Sequence, residues 1–224
     1  MCGRFTLRTP AKEIARLFDV TVPDMQPRYN IAPSQAVAAV RRTPGGEGRE
    51  LAMLRWGLVP FWADDPKIGY RMINARAETV AKKPAFRKAF ARRRCLIVAD
   101  GFYEWQKTNG GKQPFLFHMT DDRPFAFAGL WEHWKGEGDE IESCSIIVTQ
   151  ANAVLEPIHN RMPVILKPAD YDTWLDPTCE DADSLQELLK PFSSSELEGY
   201  PVSRVVNNPK NDVEECVKPV EKPG

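Results

Sequence analysis

The sequence has few of the residues that bind metals or form disulfides. Its 224 residues include three histidines and five cysteines, and the cysteines stand at positions 2, 95, 144, 179 and 216. They form no CxxC pair and are odd in number. This spacing argues against a disulfide framework and against a zinc site, so no metal or other cofactor is expected.

Long apolar runs and an excess of charge of one sign are also absent. No segment is long and apolar enough to span a bilayer, and the N-terminus lacks the basic stretch and apolar core of a signal peptide. We therefore expect a soluble, cytoplasmic protein with no membrane partner. Lys and Arg number 30 against 31 Asp and Glu, for a net charge of −1. Because the charges nearly cancel, any anion binding must come from a local patch.

The hydrophobic pattern predicts one α+β domain over residues 1–224, with a curved, largely antiparallel, barrel-like sheet and peripheral helices. Strands are expected at 36–42, 50–56, 95–99, 101–105, 115–119, 125–130, 143–149 and 164–166. Helices are expected at 10–19, with Thr9 as the N-cap, and at 84–90, 169–175 and 184–189. Segment 28–33 is expected to be irregular, Asn109-Gly110-Gly111 to form a hairpin turn, and the tail from about residue 211 is a candidate for disorder.

Cys2 is the first residue after the initiator methionine. If Met1 is removed, Cys2 presents an α-amine and a thiol on adjacent carbons. Their unperturbed pKa values are about 7.7–8.0 and about 8.5, so both are partly deprotonated near neutral pH. Such a 1,2-aminothiol can close a thiazolidine on an aldehyde, or the thiol alone can attack an amide or ester. Many chains begin Met-Cys by chance, so this chemistry requires partner residues elsewhere.

Glu104 and His159 are the candidates for proton transfer. Glu104 is flanked by Phe102, Tyr103 and Trp105. Burial among these rings would raise its pKa and suit a general acid or base. Strand alternation could equally turn Glu104 to solvent, and both interpretations stay open. His159 lies in a predicted loop, where a histidine is more often a surface residue than a catalyst.

The segment Asn74-Ala75-Arg76-Ala77-Glu78 contains three polar side chains at alternate positions. If the segment is extended, Asn74, Arg76 and Glu78 share one face. Asn74 could orient a reacting group, and Arg76 could bind a phosphate. The alternative is the polar face of an edge strand.

Six ordered blocks together resemble the SOS response-associated peptidase family, whose members shield abasic sites in single-stranded DNA. The blocks are Met1-Cys2-Gly3-Arg4-Phe5, Arg28-Tyr29-Asn30-Ile31-Ala32-Pro33, Trp56-Gly57-Leu58-Val59-Pro60, Ile73-Asn74-Ala75-Arg76-Ala77-Glu78-Thr79, Gly101-Phe102-Tyr103-Glu104-Trp105 and Ile158-His159-Asn160-Arg161-Met162-Pro163-Val164. Any one block is a weak signal, but six in the same order make a chance match very unlikely.

The resemblance implies a catalytic set and a DNA-binding set. Cys2 would trap the open-chain aldehyde of an abasic sugar as a thiazolidine, Asn74 would orient the terminus, and Glu104 and His159 would transfer protons. The family name also implies that the protein removes its own Met1. The implied DNA-binding residues are Arg4, Arg76 and Arg161 for phosphates, Trp62 and Trp105 for base stacking, and Pro33, Asn30 and Thr149.

The resemblance also implies partners and a location. The expected partner is single-stranded DNA containing abasic sites, with replication-fork proteins as further candidates. We expect a monomer that is cytoplasmic and associated with the nucleoid when it is bound to DNA.

Two other functions are consistent with parts of the sequence. A glutamine amidotransferase of the N-terminal nucleophile class also begins Met-Cys-Gly, and it predicts a layered sandwich of two sheets between helices. A non-enzymatic single-strand binder, in which Cys2 is incidental, is the third candidate.

Overall fold

A computed structural model describes residues 2–43, 45–46, 48–179 and 181–220. The strands are β1 (Phe5–Leu7), β2 (Arg28–Ile31), β3 (Ala36–Arg42), β4 (Arg49–Trp56), β5 (Asn74–Arg76), β6 (Arg94–Ala99), β7 (Gly101–Thr108), β8 (Gly111–Met119), β9 (Phe125–Lys135), β10 (Glu140–Gln150), β11 (Arg161–Pro163), β12 (Ile165–Leu166) and β13 (Leu197–Pro201). The helices are α1 (Ala11–Phe18), α2 (Arg87–Arg92), α3 (Tyr171–Leu175) and α4 (Ala182–Glu187), with short 3-10 turns between elements. Within the described residues no helix is long and apolar enough to cross a membrane.

Five strands close into a barrel. Their order is β10-β4-β3-β6-β9, and the ring closes because β10 pairs in parallel with β4 and antiparallel with β9. All six residues of β6 are buried, as expected for a strand whose two faces are both covered. Phe5 of β1 packs against Trp56 and Phe127 of the barrel with edge-to-face ring contacts, at centroid distances of 5.2 and 5.7 Å. The start of the chain is therefore held against the barrel.

A second, antiparallel sheet has the order β13-β8-β7-β1-β2. The chain passes from the barrel into this sheet at Asp100, between β6 and β7. The buried Asp100 carboxylate accepts hydrogen bonds from the Thr6 hydroxyl at 2.6 Å and from the Thr9 amide at 2.8 Å. These bonds satisfy a buried charge and fix the middle of β1 and the residues just after it to the point where the two sheets meet.

The predicted fold class is confirmed: the protein is α+β, with a largely antiparallel barrel and few helices. The predicted strand pair at 36–42 and 50–56 appears as β3 and β4, and the turn predicted at Asn109-Gly110-Gly111 joins β7 to β8. The helix expected at 10–19 is α1. A barrel beside a single sheet differs from the layered sandwich that the amidotransferase alternative predicts.

Several local predictions were wrong. Segment 28–33 was expected to be irregular, yet its first four residues form β2, because they pair with β1. Thr9 is not an N-cap, since its hydroxyl donates to Asp100 instead. The second helix begins at Arg87 rather than at 84, because Phe86 has a non-helical backbone. Strand β13 was missed, and Glu78 lies in a turn after β5.

Gly57 is the position where the backbone most restricts the side chain. It follows β4 with φ +131°, and a Cβ there would lie 2.6 Å from the Gly69 carbonyl oxygen. Gly138 also has a positive φ, +88°, but a Cβ there would meet no atom within 4 Å. We expect Gly138→Ala to lower the free energy of unfolding by about 1–2 kcal/mol, and Gly57→Ala to lower it further. Urea denaturation of both variants tests this difference, and equal losses would contradict it.

Candidate active site

Cys2 lies three residues before β1 and has no exposed surface. Its backbone carbonyl accepts a hydrogen bond from the Asn74 side-chain amide at 2.8 Å. Burial raises the pKa of the Cys2 thiol well above its ordinary value, and the charge of Glu104 raises it further. The thiol is therefore protonated near neutral pH. Asn74 and Glu104, two of the three polar residues expected to act with Cys2, both interact with it.

Asn74 begins β5, which pairs in parallel with β10 and places Asn74 opposite Ile146. Because β5 is only three residues long, the barrel strand β10 fixes the position of Asn74. The amide nitrogen of Asn74 holds the Cys2 carbonyl, whereas its side-chain oxygen is buried and has no hydrogen-bond partner among the described residues. A buried acceptor of this kind is costly unless a donor reaches it. The Cys2 α-amine, once Met1 is removed, is a donor on the same residue that Asn74 already holds.

Glu104 lies in the middle of β7 and is 2% exposed. Of the two interpretations that the sequence left open, the structure shows burial rather than exposure to solvent. Burial raises the pKa of Glu104 to about 7, although a hydrogen bond involving the Trp105 backbone opposes the shift. A carboxyl group with this pKa exists in both protonation states near neutral pH, as a general acid or base requires.

His159 lies in the loop before β11 and is half-buried. Its Nδ1 accepts a hydrogen bond from the Arg161 backbone amide at 3.0 Å. Nδ1 also lies 3.3 Å from the Arg161 carbonyl oxygen, but the shorter bond from the amide favours the neutral tautomer with its proton on Nε2, an assignment made from the hydrogen-bonding pattern. Burial lowers the pKa of His159, so the ring is neutral at pH 7.

Glu104 and His159 line the same open cavity, which has a volume of about 450 Å³. Its walls consist of Arg4, Glu104, Trp105, Lys107, Lys112, His159 and Asn207. Three of these cavity residues were not predicted from the sequence to belong to the site, namely Lys107, Lys112 and Asn207. The predicted hairpin could have found the two lysines, because its pairing places them beside each other, but no pattern in the polar tail indicates Asn207.

Asn30 was predicted to bind DNA, but it is fully buried. Its side-chain oxygen accepts from the Arg4 guanidinium at 2.8 Å, and its amide nitrogen donates to the carbonyl oxygen of Asn211 at 2.6 Å. The Arg4 guanidinium also donates to the Val206 carbonyl oxygen at 2.8 Å. Asn30 therefore holds Arg4 and the C-terminal segment in place and has no surface that can contact DNA directly.

The C-terminal segment forms part of the cavity wall. Asp212 accepts from the backbone amides of Tyr29 and Asn30 at 2.5 and 2.9 Å, which docks the segment on β2. The Trp105 indole donates to the Asn207 side-chain oxygen at 2.7 Å. The half-buried Trp105 ring is thereby held at the cavity, where it was predicted to stack on a base.

The remaining predicted DNA-binding residues lie around the site at different depths. Arg76 is exposed on β5, two residues after Asn74, and Arg161 forms an ion pair with Glu78. Arg161 also lines a second cavity of about 320 Å³. Thr149 is only 6% exposed in β10 and offers little surface to a ligand.

Trp62 and Pro33 are not among the residues that line the cavity of about 450 Å³. The Trp62 ring is 48% exposed in a turn, and Pro33 is half-buried in the turn after β2. In the described part of the chain, no group of three His, Cys, Asp or Glu side chains could hold a metal ion.

Comparison with known proteins gives a consistent match over nearly the whole chain. Residues 1–209 match the family described as SOS response associated peptidase. The Bacillus subtilis abasic site processing protein YoqW is 45% identical over 97% of this chain and 99% of its own length. The Escherichia coli abasic site processing protein YedK is 31% identical over 98% of this chain and 100% of its own length. A crystal structure of a Bacteroides thetaiotaomicron protein superposes with a TM-score of 0.86 at 25% identity, covering 98% of this chain and 100% of that one.

The raised pKa of Glu104 predicts how stability depends on pH. The folded pKa of about 7 exceeds the ordinary value of 4.5, so the stability that Glu104 contributes is fully present below pH 4.5 and is lost as the pH rises through about 7. Glutamine stays neutral and avoids this loss. We expect Glu104→Gln to gain roughly 2–3 kcal/mol over the wild type in free energy of unfolding between about pH 5 and pH 8.

Urea denaturation of both proteins at the two pH values measures this change. Glu137→Gln, at an exposed position in the turn between β9 and β10, is the control and should show no pH-dependent difference. A constant difference between Glu104→Gln and the wild type at both pH values would show that Glu104 titrates normally.

Proposed function

The chain belongs to the SOS response associated peptidase family, and on this premise we propose that it captures abasic sites in single-stranded DNA covalently through Cys2. The curated relatives named above are abasic site processing proteins. The observation that carries the proposal is that two distant polar residues, Asn74 and Glu104, act on Cys2, and that Glu104 shares its cavity with His159. Asn74 binds the Cys2 carbonyl, and the charge of Glu104 acts on the Cys2 thiol.

Capture requires a free α-amine on Cys2, so Met1 must first be removed. The Cys2 thiol can attack the Met1 carbonyl carbon, with Glu104 or His159 assisting the proton transfers. The Cys2 nitrogen then leaves as the amine, and water hydrolyses the resulting thioester to release methionine. A methionine aminopeptidase would produce the same terminus.

The α-amine is the first nucleophile in the proposed capture. An abasic sugar is mainly a closed hemiacetal, and its open form carries an aldehyde at C1′. The amine attacks this carbon, water is expelled, and an imine forms. Glu104 is suited to take a proton from the amine and return one to the departing hydroxyl, because its pKa is about 7. His159, neutral with its proton on Nε2, is suited to assist opening of the sugar ring at its oxygen.

The thiol completes the reaction. Sulfur adds to the imine carbon, the imine nitrogen takes up a proton, and the thiol loses one, so that aldehyde and aminothiol yield a thiazolidine and one water. The buried thiol is protonated and is therefore a poor nucleophile. Its attack follows imine formation because the imine carbon is the more reactive electrophile. Holding both nucleophiles at one carbon makes the second step intramolecular, an advantage that can reach ~7–11 kcal/mol in favourable cases.

A denaturing gel tests capture directly. Purified protein is incubated with single-stranded DNA that carries one abasic site, and intact-mass measurement first establishes that Met1 is absent. We expect a heat-stable shifted band from the wild type and none from Cys2→Ala. Cys179→Ala is the matched control, since Cys179 is a partly exposed thiol outside the site, and it should crosslink normally.

Cys2→Ser separates the two bond-forming steps. Serine keeps the α-amine but lacks sulfur, so its imine should be trapped by borohydride while the heat-stable band is lost. DNA binding without any covalent band in the wild type would support the simple binder, and glutamine hydrolysis would support the amidotransferase.

The pH dependence of capture tests the role of Glu104. If its carboxylate is the base, the rate should rise as the pH passes through about 7. Glu104→Gln should lose this inflection, keep only the amine titration at about 7.7–8.0, and slow capture by roughly 10²–10⁴-fold at about pH 8. DNA affinity should be retained, and Glu137→Gln should behave as the wild type. An unchanged profile would remove Glu104 from the reaction.

A further inference from the structure

One side of the cavity carries an aromatic ring flanked by positive charge. We define the hairpin strip as Arg4, Trp105, Lys107 and Lys112, all of which line the cavity that contains Glu104 and His159. Trp105 and Lys107 are two residues apart in β7, so they share one face of the strand. Lys112 is the direct cross-strand partner of Lys107 in β8. The strip therefore runs along the β7–β8 hairpin from the catalytic residues to its exposed end.

The positive charges of Lys107 and Lys112 repel each other when no anion is bound between them. Both are exposed, and no ion pair or side-chain hydrogen bond involves either lysine within the described residues. Like charges directly opposite each other on antiparallel strands destabilise the pair. Arg204 adds a third cation nearby, with its guanidinium 3.5 Å from the Gly110 carbonyl oxygen at the hairpin turn. An anion between these side chains would relieve the repulsion.

Other cations near the site are already engaged. Arg161 pairs with Glu78, and Arg4 donates to Asn30 and to Val206. Lys107 and Lys112 differ, because their ammonium donors are available to an incoming group. They are thus the positive charges at the cavity that a bound anion can use without breaking a contact of the protein.

Trp105 indicates which class of ligand the hairpin strip binds. Its indole nitrogen is bound to Asn207, and the Arg4 guanidinium lies 6.0 Å from the ring centroid. Both contacts hold the half-buried ring in one orientation. An aromatic ring with cations beside it is an arrangement by which proteins bind single-stranded nucleic acid, with bases on the ring and phosphates on the cations.

We propose that Lys107 and Lys112 bind backbone phosphates of single-stranded DNA on the hairpin side of the cavity, beside a base stacked on Trp105. The proposal rests on the proposed function for its ligand. Lys107 is three residues beyond Glu104, about 10 Å along an extended strand. The phosphates it contacts therefore belong to nucleotides next to the abasic one, and the lysines contribute to binding rather than to the chemical step.

Equilibrium binding of a stable abasic analogue tests the proposal. Single-stranded DNA with a tetrahydrofuran residue has no aldehyde, so binding is measured without capture. The dissociation constant is determined over a range of salt concentrations for the wild type and for Lys107→Gln/Lys112→Gln. Two lost phosphate contacts should reduce the slope of log K against log salt by about 1.4, at about 0.7 per contact on single strands.

The control removes the same charge elsewhere. Lys12 and Arg16 are exposed on α1, and Lys12→Gln/Arg16→Gln should keep the wild-type slope. An unchanged slope in the hairpin variant, or an equal reduction in the control, would overturn the proposal. With aldehyde-bearing DNA, the hairpin variant should need a higher DNA concentration than the wild type for half-maximal crosslinking, because it lacks two binding contacts. A reduced slope in a protein that forms no crosslink would refute capture while supporting the strip.

Discussion

The burial of the Glu104 carboxyl is the constraint on which the chemistry of this site depends. The flanking residues Phe102 and Tyr103 are buried as well, and Glu104 is 2% exposed. Taking the carboxyl out of water raises its pKa to about 7. The same desolvation that makes the group useful as an acid or base also costs the folded protein stability above neutral pH. A buried carboxyl that titrates near neutral pH is costly as a packing group, which favours a catalytic interpretation.

The two sheets bring this carboxyl to the start of the chain. β7 carries Glu104 and pairs directly with β1, which follows Cys2. Asp100, at the point where the chain leaves the barrel, fixes β1 through Thr6 and Thr9. From the barrel side, β10 holds the short strand that begins at Asn74. Cys2 is therefore hydrogen-bonded to Asn74, which the barrel positions, and is influenced by the charge of Glu104, which the second sheet positions.

Sequence patterns predicted those parts of the fold that depend on local spacing. β3, β4 and the β7–β8 hairpin follow from alternation and turn residues, and the pairing of Lys107 with Lys112 was implicit in that hairpin. β2 was missed because its four residues become a strand only through pairing with β1.

The candidate site depends more on contacts between distant residues. Asn74 and Cys2 are 72 residues apart, and local spacing cannot reveal that one binds the other. Six ordered blocks of resemblance supplied that set of residues. Asn207 had no such signal, since the tail has no periodicity and its place is fixed by Trp105 and Asp212.

The state of the Cys2 thiol does not by itself identify the site. Cys95 is equally buried, and its pKa is raised by the same desolvation. Cys95 lies inside β6 among apolar neighbours, whereas the carbonyl of Cys2 is bound by Asn74 and its thiol is influenced by Glu104. Cys2 therefore differs from Cys95 in its position. Removal of the one residue before it would give Cys2 an α-amine, beside the buried side-chain oxygen of Asn74 and the titrating carboxyl of Glu104. In the proposed capture, a protonated thiol at this position favours attack by nitrogen first and by sulfur second, the order in which an aldehyde is converted to a thiazolidine.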